Sequence, residues 1–185
     1  MANTPSNMLA LRTKAPDFTL PDTISDKKLN LQNLKGNNAT VIFFICNHCP
    51  FVIHVNSELV KIANDFKDQH VSFIAISSND IVNYPQDAPD LMKKVAKDLN
   101  YPFPYLYDED QSVAKAFDAA CTPDTYVFDE NLRLVYRGQI DDSRPGNQIP
   151  VTGNDLRQAL QHILDKKPVL KDQKPSIGCN IKWKG

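Results

Sequence analysis

The order of its apolar runs predicts that this chain adopts an α/β fold, in which a mixed central sheet is covered by helices on both faces. Residues 40–45 form a continuous apolar run, which is typical of a buried strand, and apolar residues at helical spacing follow it. Residues 71–76 repeat the pattern of a short buried strand. Residues 124–129 and 132–138 then predict a hairpin, which is followed by a last helical pattern.

Local signals place the remaining elements along the chain. Pro50 fits the first turn of a helix, where its missing N–H costs little. Asp108 is expected to cap a helix that carries Val113 and Phe117. In order, we predict an N-terminal hairpin within residues 15–34, a strand at 40–46, a helix at 50–67, a strand at 71–76, a helix at 89–99 with Leu91, Met92, Val95 and Leu99 facing inward, a strand at 103–107, a helix after Asp108, the hairpin at 124–138 and a helix at 155–166.

The C-terminal tail is expected to return to the body of the protein. We predict a single domain over residues 1–185, with its core at 15–166 and a tail at 167–185. The tail is rich in Pro and Lys until Ser176, after which apolar residues alternate with polar residues or glycine. The alternating residues are Ile177, Cys179, Ile181 and Trp183. This period of two predicts a tail strand that docks on the core.

Composition narrows the class of protein. The chain has 185 residues, of which 42% are hydrophobic and 23% charged, as in globular domains. A formal net charge of −1 argues against broad electrostatic binding to nucleic acid or to an anionic membrane. No stretch approaches the ~18–20 apolar residues of a membrane span, and residues 1–14 lack a secretory signal pattern. We therefore expect a cytoplasmic protein, in which four cysteines are catalytic or metal-binding more often than structural.

Cys46 and Cys49 lie where the first buried strand gives way to a helix, in the run Cys46-Asn47-His48-Cys49-Pro50. Unpaired N–H groups and the positive end of the helix dipole point to such a turn. This environment stabilises a thiolate, which is the reactive form of cysteine. Two cysteines with this spacing can also close a disulfide ring, although a buried structural pair is the alternative. The residues indicate redox chemistry more clearly than any particular substrate.

His48 lies between the two cysteines and is a candidate for tuning them. An imidazole adds a hydrogen-bond donor or a positive charge beside a thiolate. It should favour the reduced form and make the disulfide more oxidising. The alternative is an exposed histidine without a tuning role.

Several motifs together resemble the thioredoxin superfamily over residues 15–166. They are Cys46-x-x-Cys49 at a strand–helix turn, Thr122-Pro123 before a strand, and Gly138 after the final strand of the hairpin. The opening run from Ala15 to Leu20 is similar to the start of the peroxiredoxin and alkyl-hydroperoxide-reductase branch. Residues 45–52, 121–124, 136–142 and 176–179 resemble a bacterial peroxiredoxin-like group, related to alkyl hydroperoxide reductase and thiol-specific antioxidant, with a Cys-Asn-His-Cys site.

The resemblance implies a thioredoxin-like fold and a set of residue roles. Cys46 would be exposed and attack, and Cys49 would resolve the mixed disulfide. The Thr122–Pro123 bond would be cis and lie beside the cysteines, where the backbone before Pro123 pairs with an extended substrate. No organic cofactor is required, and no phosphate-binding glycine-rich loop is visible in the sequence.

Two further cysteines are candidate accessory thiols. Cys121 comes directly before the Thr122–Pro123 platform and could be a third redox thiol, a metal ligand or a small core residue. Cys179 could resolve an oxidised Cys46 or Cys49 only if the tail reaches the site. Four charged residues on predicted loops are expected to be solvated and receive no role; they are Asp124, Asp141, Asp142 and Arg144.

The sequence also departs from both patterns that it resembles. Ile45 stands where thioredoxins have Trp, and the strand at 40–45 has no buried acid to assist proton transfer. Peroxiredoxins use Pro-x-x-x-Thr-x-x-Cys; aligning Cys49 with their reactive cysteine puts Cys46 in place of Thr and Ile42 in place of Pro. Their active-site Arg, expected near 121–123, is also missing. These departures argue against rapid peroxide reduction.

Three functions remain open at this point. The first is a thiol–disulfide oxidoreductase that serves cell redox homeostasis, with a protein or small-molecule disulfide or thiol as substrate and a thiol reductant as electron donor. The second is an antioxidant thiol peroxidase that acts on peroxide. The third is a module in which Cys46, Cys49 and Cys121, with Cys179 or His48 as a further candidate ligand, bind Zn²⁺ or Cu(I). We assign no metal, and expect neither nucleic acid nor membrane as a partner.

Overall fold

A computed structural model describes residues 3–185. Its centre is a five-stranded mixed sheet with the strand order β6-β5-β4-β8-β9. The strands of this sheet are β4 (Ala39–Phe44), β5 (Val71–Ser77), β6 (Tyr105–Tyr107), β8 (Asp124–Asp129) and β9 (Leu134–Arg137). β4, β5 and β6 run parallel, whereas β8 is antiparallel to β4 and β9 is antiparallel to β8.

Helices cover both faces of the sheet, as the sequence predicts. The helices are α1 (Leu31–Leu34), α2 (Pro50–Phe66), α3 (Pro89–Asp98), α4 (Ser112–Ala116) and α5 (Asn154–Leu164). One hydrophobic core packs Val41 and Phe43 of β4 against α2, α3 and α5. A second core packs Ile42 and Phe44 against α1, α4 and the N-terminal segment. β4 is buried on both faces, which explains why its sequence is continuously apolar.

The N-terminal hairpin is confirmed. It consists of β2 (Thr19–Pro21) and β3 (Lys28–Asn30), which pair antiparallel. The side chain of Asn30 caps α1 by accepting a hydrogen bond from the N–H of Asn33, at 2.9 Å. No helix within residues 3–185 is long and apolar enough to cross a membrane.

Two details of the predicted helices are wrong. Leu91 and Leu99 are each 38% exposed, because the buried face of α3 consists of Met92 and Ala96 instead. The residue that precedes α4 is Gln111, in the left-handed region with φ 64°, and not Asp108. Asp108 nevertheless accepts the N–H groups of the first turn of α4 from further back in the chain.

The tail strand is also confirmed. β10 (Ile177–Asn180) lies in a small antiparallel sheet between β1 (Thr4–Pro5) and β7 (Cys121–Thr122). In this sheet, Cys179 is opposite Thr122 and Gly178 is opposite Thr4. The tail therefore lies against the segment that leads into Pro123.

Candidate redox site

The two cysteines of the motif lie between the end of β4 and the start of α2. Cys49 is the N-cap residue of α2, and its carbonyl oxygen accepts the N–H of Ile53 at 2.9 Å. Pro50 follows as the first helical residue, as predicted. Cys46 is 2% exposed and Cys49 is 0% exposed. The expectation of an exposed first cysteine is therefore wrong, because both thiols lie in the hydrophobic core.

Thr122 brings the cis-proline segment into contact with both thiols. The Thr122–Pro123 peptide bond is cis, as the resemblance implies. When Cys49 is protonated, its thiol donates to the carbonyl oxygen of Thr122, at 3.1 Å. The thiol of Cys46 lies 3.5 Å from the Thr122 hydroxyl. The cysteine pair and the platform thus form one continuous site.

The two thiols of the motif share a hydrogen bond that separates their pKa values. The bond from Cys46 lowers the pKa of Cys49 to about 4, against the effect of burial, and the N–H of Val52 contributes in the same direction. The same bond raises the pKa of Cys46, as do burial and the nearby carboxylate of Asp87. The thiolate therefore resides on Cys49, at the positive end of α2, and Cys46 holds the remaining proton.

A buried carboxylate orients His48. Nδ1–H of His48 donates to Oδ2 of Asp87 at 2.7 Å, and the His48 ring stacks on Tyr84 with a centroid distance of 5.6 Å. Asp87 is 0% exposed and also accepts the N–H of Asn47 at 2.8 Å. The side-chain amide of Asn79 donates to Asp87 at 2.8 Å. These bonds fix the imidazole in one orientation beside the cysteine motif.

Asp87 is the residue that the sequence analysis missed. It lies in the segment after β5, within the one-turn helix Pro85–Asp87. β4 and β5 are parallel neighbours, so the segments that follow their carboxyl ends meet at one edge of the sheet. A polar residue after β5 was therefore a candidate for this site, although the sequence pattern alone gives no reason to prefer Asp87. Its carboxylate supplies the buried acid that β4 lacks.

Cys46, His48 and Asp87 form a group whose S, N and O atoms all lie within 4.8 Å of one another. Thiolate, imidazole and carboxylate are the three ligand types that zinc accepts. However, the carboxylate already accepts bonds from His48, Asn47 and Asn79. Of the ligands predicted from the sequence, this group contains Cys46 and His48 but neither Cys49 nor Cys121, and it adds Asp87.

The two accessory cysteines differ in their relation to the pair. Cys121 is 0% exposed, and its thiol lies 3.6 Å from the carbonyl oxygen of Pro123. Cys179 of the tail lies opposite Thr122, beside Cys49. Burial and the neighbouring Cys49 thiol raise the pKa of Cys179 to about 12. The structure therefore brings Cys179 directly to the pair, whereas the contact of Cys121 is with the platform backbone.

The loop acids are not uniformly solvated, contrary to expectation. Asp124 is 0% exposed, and its Oδ2 accepts the Tyr126 hydroxyl at 3.0 Å. Asp141 is 3% exposed and accepts the N–H groups of Thr152 and Gly153 before α5. Asp142 alone of the three matches the expectation, since it pairs with Lys174 at the surface. Asp141 therefore holds the segment before α5 in place, whereas Asp124 is bonded within β8.

Comparison with known proteins identifies the family. The AhpC/TSA family matches residues 11–137, which is more than half of the chain. The chain belongs to the AhpC/TSA family. No curated protein matches it.

Solved structures agree with the fold. A crystal structure of an uncharacterized conserved protein from Geobacillus kaustophilus is 59% identical, with a TM-score of 0.98, and covers 100% of this chain and 97% of that one. A hypothetical protein from Sinorhizobium meliloti is 46% identical, with a TM-score of 0.96, over 98% and 99% of the two chains. A thioredoxin family thiol:disulfide interchange protein from Chlorobium tepidum is 17% identical over 84% and 98%, with a TM-score of 0.64. The fold is thus thioredoxin-like.

As an AhpC/TSA member, the chain has an unusual environment around its cysteines. Ile42, which stands in place of the proline of the peroxiredoxin pattern, is fully buried in β4. Cys46 stands in place of the threonine, and the Thr122 hydroxyl lies 3.5 Å from its thiol. Three residues before Cys49, this chain therefore has a thiol where the peroxiredoxin pattern has a hydroxyl.

Proposed function

We propose that this AhpC/TSA member is a thiol–disulfide oxidoreductase in which Cys46 and Cys49 alternate between a dithiol and a disulfide. The observation that carries the proposal is the placement of both thiols against Thr122 of the cis-proline segment, with Cys49 at the N-terminus of α2; opposite pKa shifts of the two thiols accord with it. A low pKa supplies the nucleophile, and a neighbouring thiol supplies the group that resolves the mixed disulfide. Cell redox homeostasis is the corresponding physiological role.

Cys49 takes the first step in this proposal, which reverses the order implied by the resemblance. Its thiolate attacks one sulfur of a substrate disulfide, so that a Cys49–substrate bond forms and the substrate bond breaks. The first substrate thiolate leaves and takes a proton from solvent. The charge of Asp87 opposes ionisation of Cys46, and the start of α2 favours ionisation of Cys49.

Cys46 takes the second step. Its thiol must lose a proton before the sulfur attacks Cys49 and releases the second substrate thiolate. Asp87 and His48 are the acid–base groups beside Cys46, and their mutual hydrogen bond of 2.7 Å orients the imidazole. We propose that this dyad accepts the proton and passes it to the leaving thiolate. The substrate is reduced by two electrons, and the pair is oxidised to the disulfide.

Thr122 and Pro123 provide the proposed substrate platform. Extended peptides bind such platforms by strand addition, in which main-chain hydrogen bonds hold the substrate in register. The edge that a substrate would use is occupied by β10 in this structure. A protein substrate must therefore displace the tail, whereas a small disulfide needs a smaller opening. The cytoplasmic location and the single-domain organisation stay predictions.

The test is to trap the mixed disulfide. The reduced protein is mixed with oxidised glutathione, quenched with acid, alkylated and mapped by mass spectrometry. A variant with both Cys46→Ser and Cys179→Ser should accumulate glutathione on Cys49, and Cys49→Ser should lose reductase activity. The matched control is Cys121→Ser, which should behave as wild type. Reduction of glutathione disulfide by Cys49→Ser at the wild-type rate would exclude the proposal.

A thiol peroxidase is the second candidate, because the chain belongs to the AhpC/TSA family and Cys49 aligns with the reactive cysteine of that pattern. In this reaction Cys49 would attack peroxide and become a sulfenic acid, which Cys46 would resolve as a disulfide with loss of water. Stoichiometric trapping of a sulfenic acid on Cys49 in Cys46→Ser at low peroxide supports this candidate. Inertness of wild type and Cys46→Ser to peroxide removes it.

A further inference from the structure

β10 occupies the edge of β7 to which an extended substrate would add as a strand. It pairs antiparallel with β7, and the register places Cys179 opposite Thr122 and Asn180 opposite Cys121. Thr122 is the residue directly before Pro123, where an extended substrate would pair. The tail therefore places Cys179, a cysteine of this same chain, opposite the platform residue that contacts Cys46 and Cys49.

Cys49 has a thiol on each side. Cys46 precedes it in the motif, and Cys179 lies opposite Thr122, whose carbonyl oxygen is 3.1 Å from the Cys49 sulfur. Cys179 is 8% exposed and Cys49 is 0% exposed, so their contact is sheltered from solvent. Thr122 thus has Cys46, Cys49 and Cys179 around it, and Cys49 has two candidate disulfide partners within one chain.

The tail is fixed on the platform by close packing and by hydrogen bonds at both ends. A Cβ on Gly178 would fall 2.0 Å from the carbonyl oxygen of Thr122, so only glycine permits this approach. Before the strand, the hydroxyl of Ser176 donates to the carbonyl oxygen of Gly138 at 2.7 Å. After it, the N–H of Lys182 donates to the side chain of Asn79 at 2.9 Å. The position of Cys179 is therefore well defined.

Asn79 connects the tail to the acid–base dyad. Its side-chain oxygen accepts from Lys182, and its side-chain NH₂ donates to the carboxylate of Asp87. Removal of the tail therefore breaks a bond to Asn79, which in turn holds the carboxylate that orients His48. The occupancy of the platform and the environment of Cys46 are linked through one side chain.

We propose that Cys179 is a third redox thiol, and that it exchanges with the Cys46–Cys49 disulfide to give a Cys49–Cys179 disulfide. The proposal rests on the proposed function, because that activity supplies the starting disulfide. In this step the Cys179 thiolate attacks the sulfur of Cys49. The Cys49–Cys179 bond forms, the Cys46–Cys49 bond breaks, and Cys46 leaves as a thiolate that takes up the proton lost by Cys179. No net oxidation or reduction occurs.

The exchange has a structural consequence for the site. In the Cys46–Cys49 form, the tail is held on the platform by noncovalent contacts and a substrate strand can replace it. In the Cys49–Cys179 form, the tail is covalently attached to the centre of the site. The platform is then closed to protein substrates, and Cys46 is the free thiol that can reopen it by attack on Cys49.

The experiment maps disulfides in the full-length protein after oxidation with glutathione disulfide. Wild type, Cys46→Ser and Cys179→Ser are oxidised, alkylated, digested and analysed by mass spectrometry, with Cys121→Ser as the matched control for loss of a buried thiol. We expect both Cys46–Cys49 and Cys49–Cys179 linkages in wild type. In Cys46→Ser, most Cys49 should be linked to Cys179, and in Cys179→Ser the Cys46–Cys49 linkage alone should remain. Cys121→Ser should match wild type.

The outcomes separate this proposal from the proposed function. If wild type forms Cys46–Cys49 but Cys46→Ser carries only glutathione on Cys49, the third-thiol proposal is overturned and the oxidoreductase remains. If wild type forms no Cys46–Cys49 linkage, the proposed function fails, and the exchange loses its starting disulfide. Chemical trapping of both linkages in wild type, with the Cys49–Cys179 linkage absent from Cys179→Ser, supports both proposals.

Discussion

Oδ2 of Asp87 lies 2.7 Å from Nδ1 of His48, although the two residues belong to different segments of the chain. His48 follows β4 and Asp87 follows β5, and the parallel pairing of these strands brings the segments together. Cys46 lies beside both groups. This arrangement gives the thiol with the raised pKa a base, which the second step of the proposed reaction needs.

Asp87→Asn should slow the second step. Asparagine keeps an oxygen that can accept the N–H of Asn47, but it removes the charge that acts on Cys46 and orients the imidazole. We expect formation of Cys46–Cys49 from the mixed disulfide to slow about 10²-fold, with a changed pH profile. Rapid-quench measurement of the release of the second thiol tests this.

Asp124→Asn is the matched control for Asp87→Asn, because Asp124 is also a fully buried aspartate but contacts Tyr126. It should leave the rate of the second step unchanged. A wild-type rate and pH profile for Asp87→Asn would contradict the role of the dyad.

The thiolate of Cys49 should be present in mildly acidic solution. The hydrogen bond from Cys46 lowers the pKa of Cys49 to about 4, so one thiolate should form per chain as the pH rises through this value. Ultraviolet absorbance of the thiolate measures it, and Cys49→Ser should lose this transition. If the first thiolate of the wild-type protein instead appears at about pH 8.5, as for an ordinary cysteine, the assignment is wrong.

The sequence predicted the positions of the reactive sulfurs better than their environment. The strand-to-helix turn, Pro50 and the spacing of the cysteines place Cys46 and Cys49 correctly, because these signals are local. The position of Asp87 beside the motif and the contact of Cys179 with Cys49 depend on which strands are neighbours in the sheets. Local periodicity does not specify strand order, so neither relationship could be read from the motifs.

Gly178→Ala should weaken the hold of the tail on the platform. The added Cβ would meet the backbone of Thr122 at 2.0 Å, and a backbone atom cannot move aside as a flexible side chain can. We expect a loss of about 1–3 kcal/mol in the free energy of unfolding and faster alkylation of Cys49. Denaturant titration and mapped alkylation measure these effects.

The control for Gly178→Ala is Gly185→Ala, since a Cβ at Gly185 meets nothing within 4 Å. It should match wild type in both measurements. Unchanged unfolding and unchanged Cys49 reactivity in Gly178→Ala would show that the tail does not pack on Thr122 in this way.

Asp124 should make stability depend on pH. Burial raises the pKa of Asp124 to about 6, above its usual value of 3.8. The folded state therefore favours the protonated carboxyl. The contribution of protonated Asp124 to the free energy of unfolding is complete below about pH 4 and is lost as the pH rises through about 6. At pH 7 the difference corresponds to about 3 kcal/mol.

Asp124→Asn should remove this dependence, because the amide is neutral at every pH and keeps an oxygen that can accept the Tyr126 hydroxyl. The variant should be more stable than wild type at pH 7 and similar to it at pH 4, as measured by denaturant titration at both values. An equal difference in the free energy of unfolding at the two pH values would contradict the raised pKa.

The fold was more predictable than the exact faces of its helices. The apolar runs of β4 and β5 and the alternation of the tail specify strands because burial on the sheet requires those patterns. In α3, by contrast, Leu91 and the C-cap residue Leu99 satisfy a helical spacing but remain partly exposed. A short helix with several apolar residues offers more than one stripe, and packing against the sheet selects between them.

The central claim is that Cys46 and Cys49 form a reversible redox pair. The most direct measurement is an equilibrium titration of the full-length protein in glutathione buffers, with each thiol trapped by alkylation and mapped by mass spectrometry. We predict a reversible Cys46–Cys49 disulfide. Because the low pKa of Cys49 stabilises the reduced form, its potential should lie above the ~−270 mV of thioredoxin. Two free thiols at Cys46 and Cys49 under every oxidising buffer would contradict the claim.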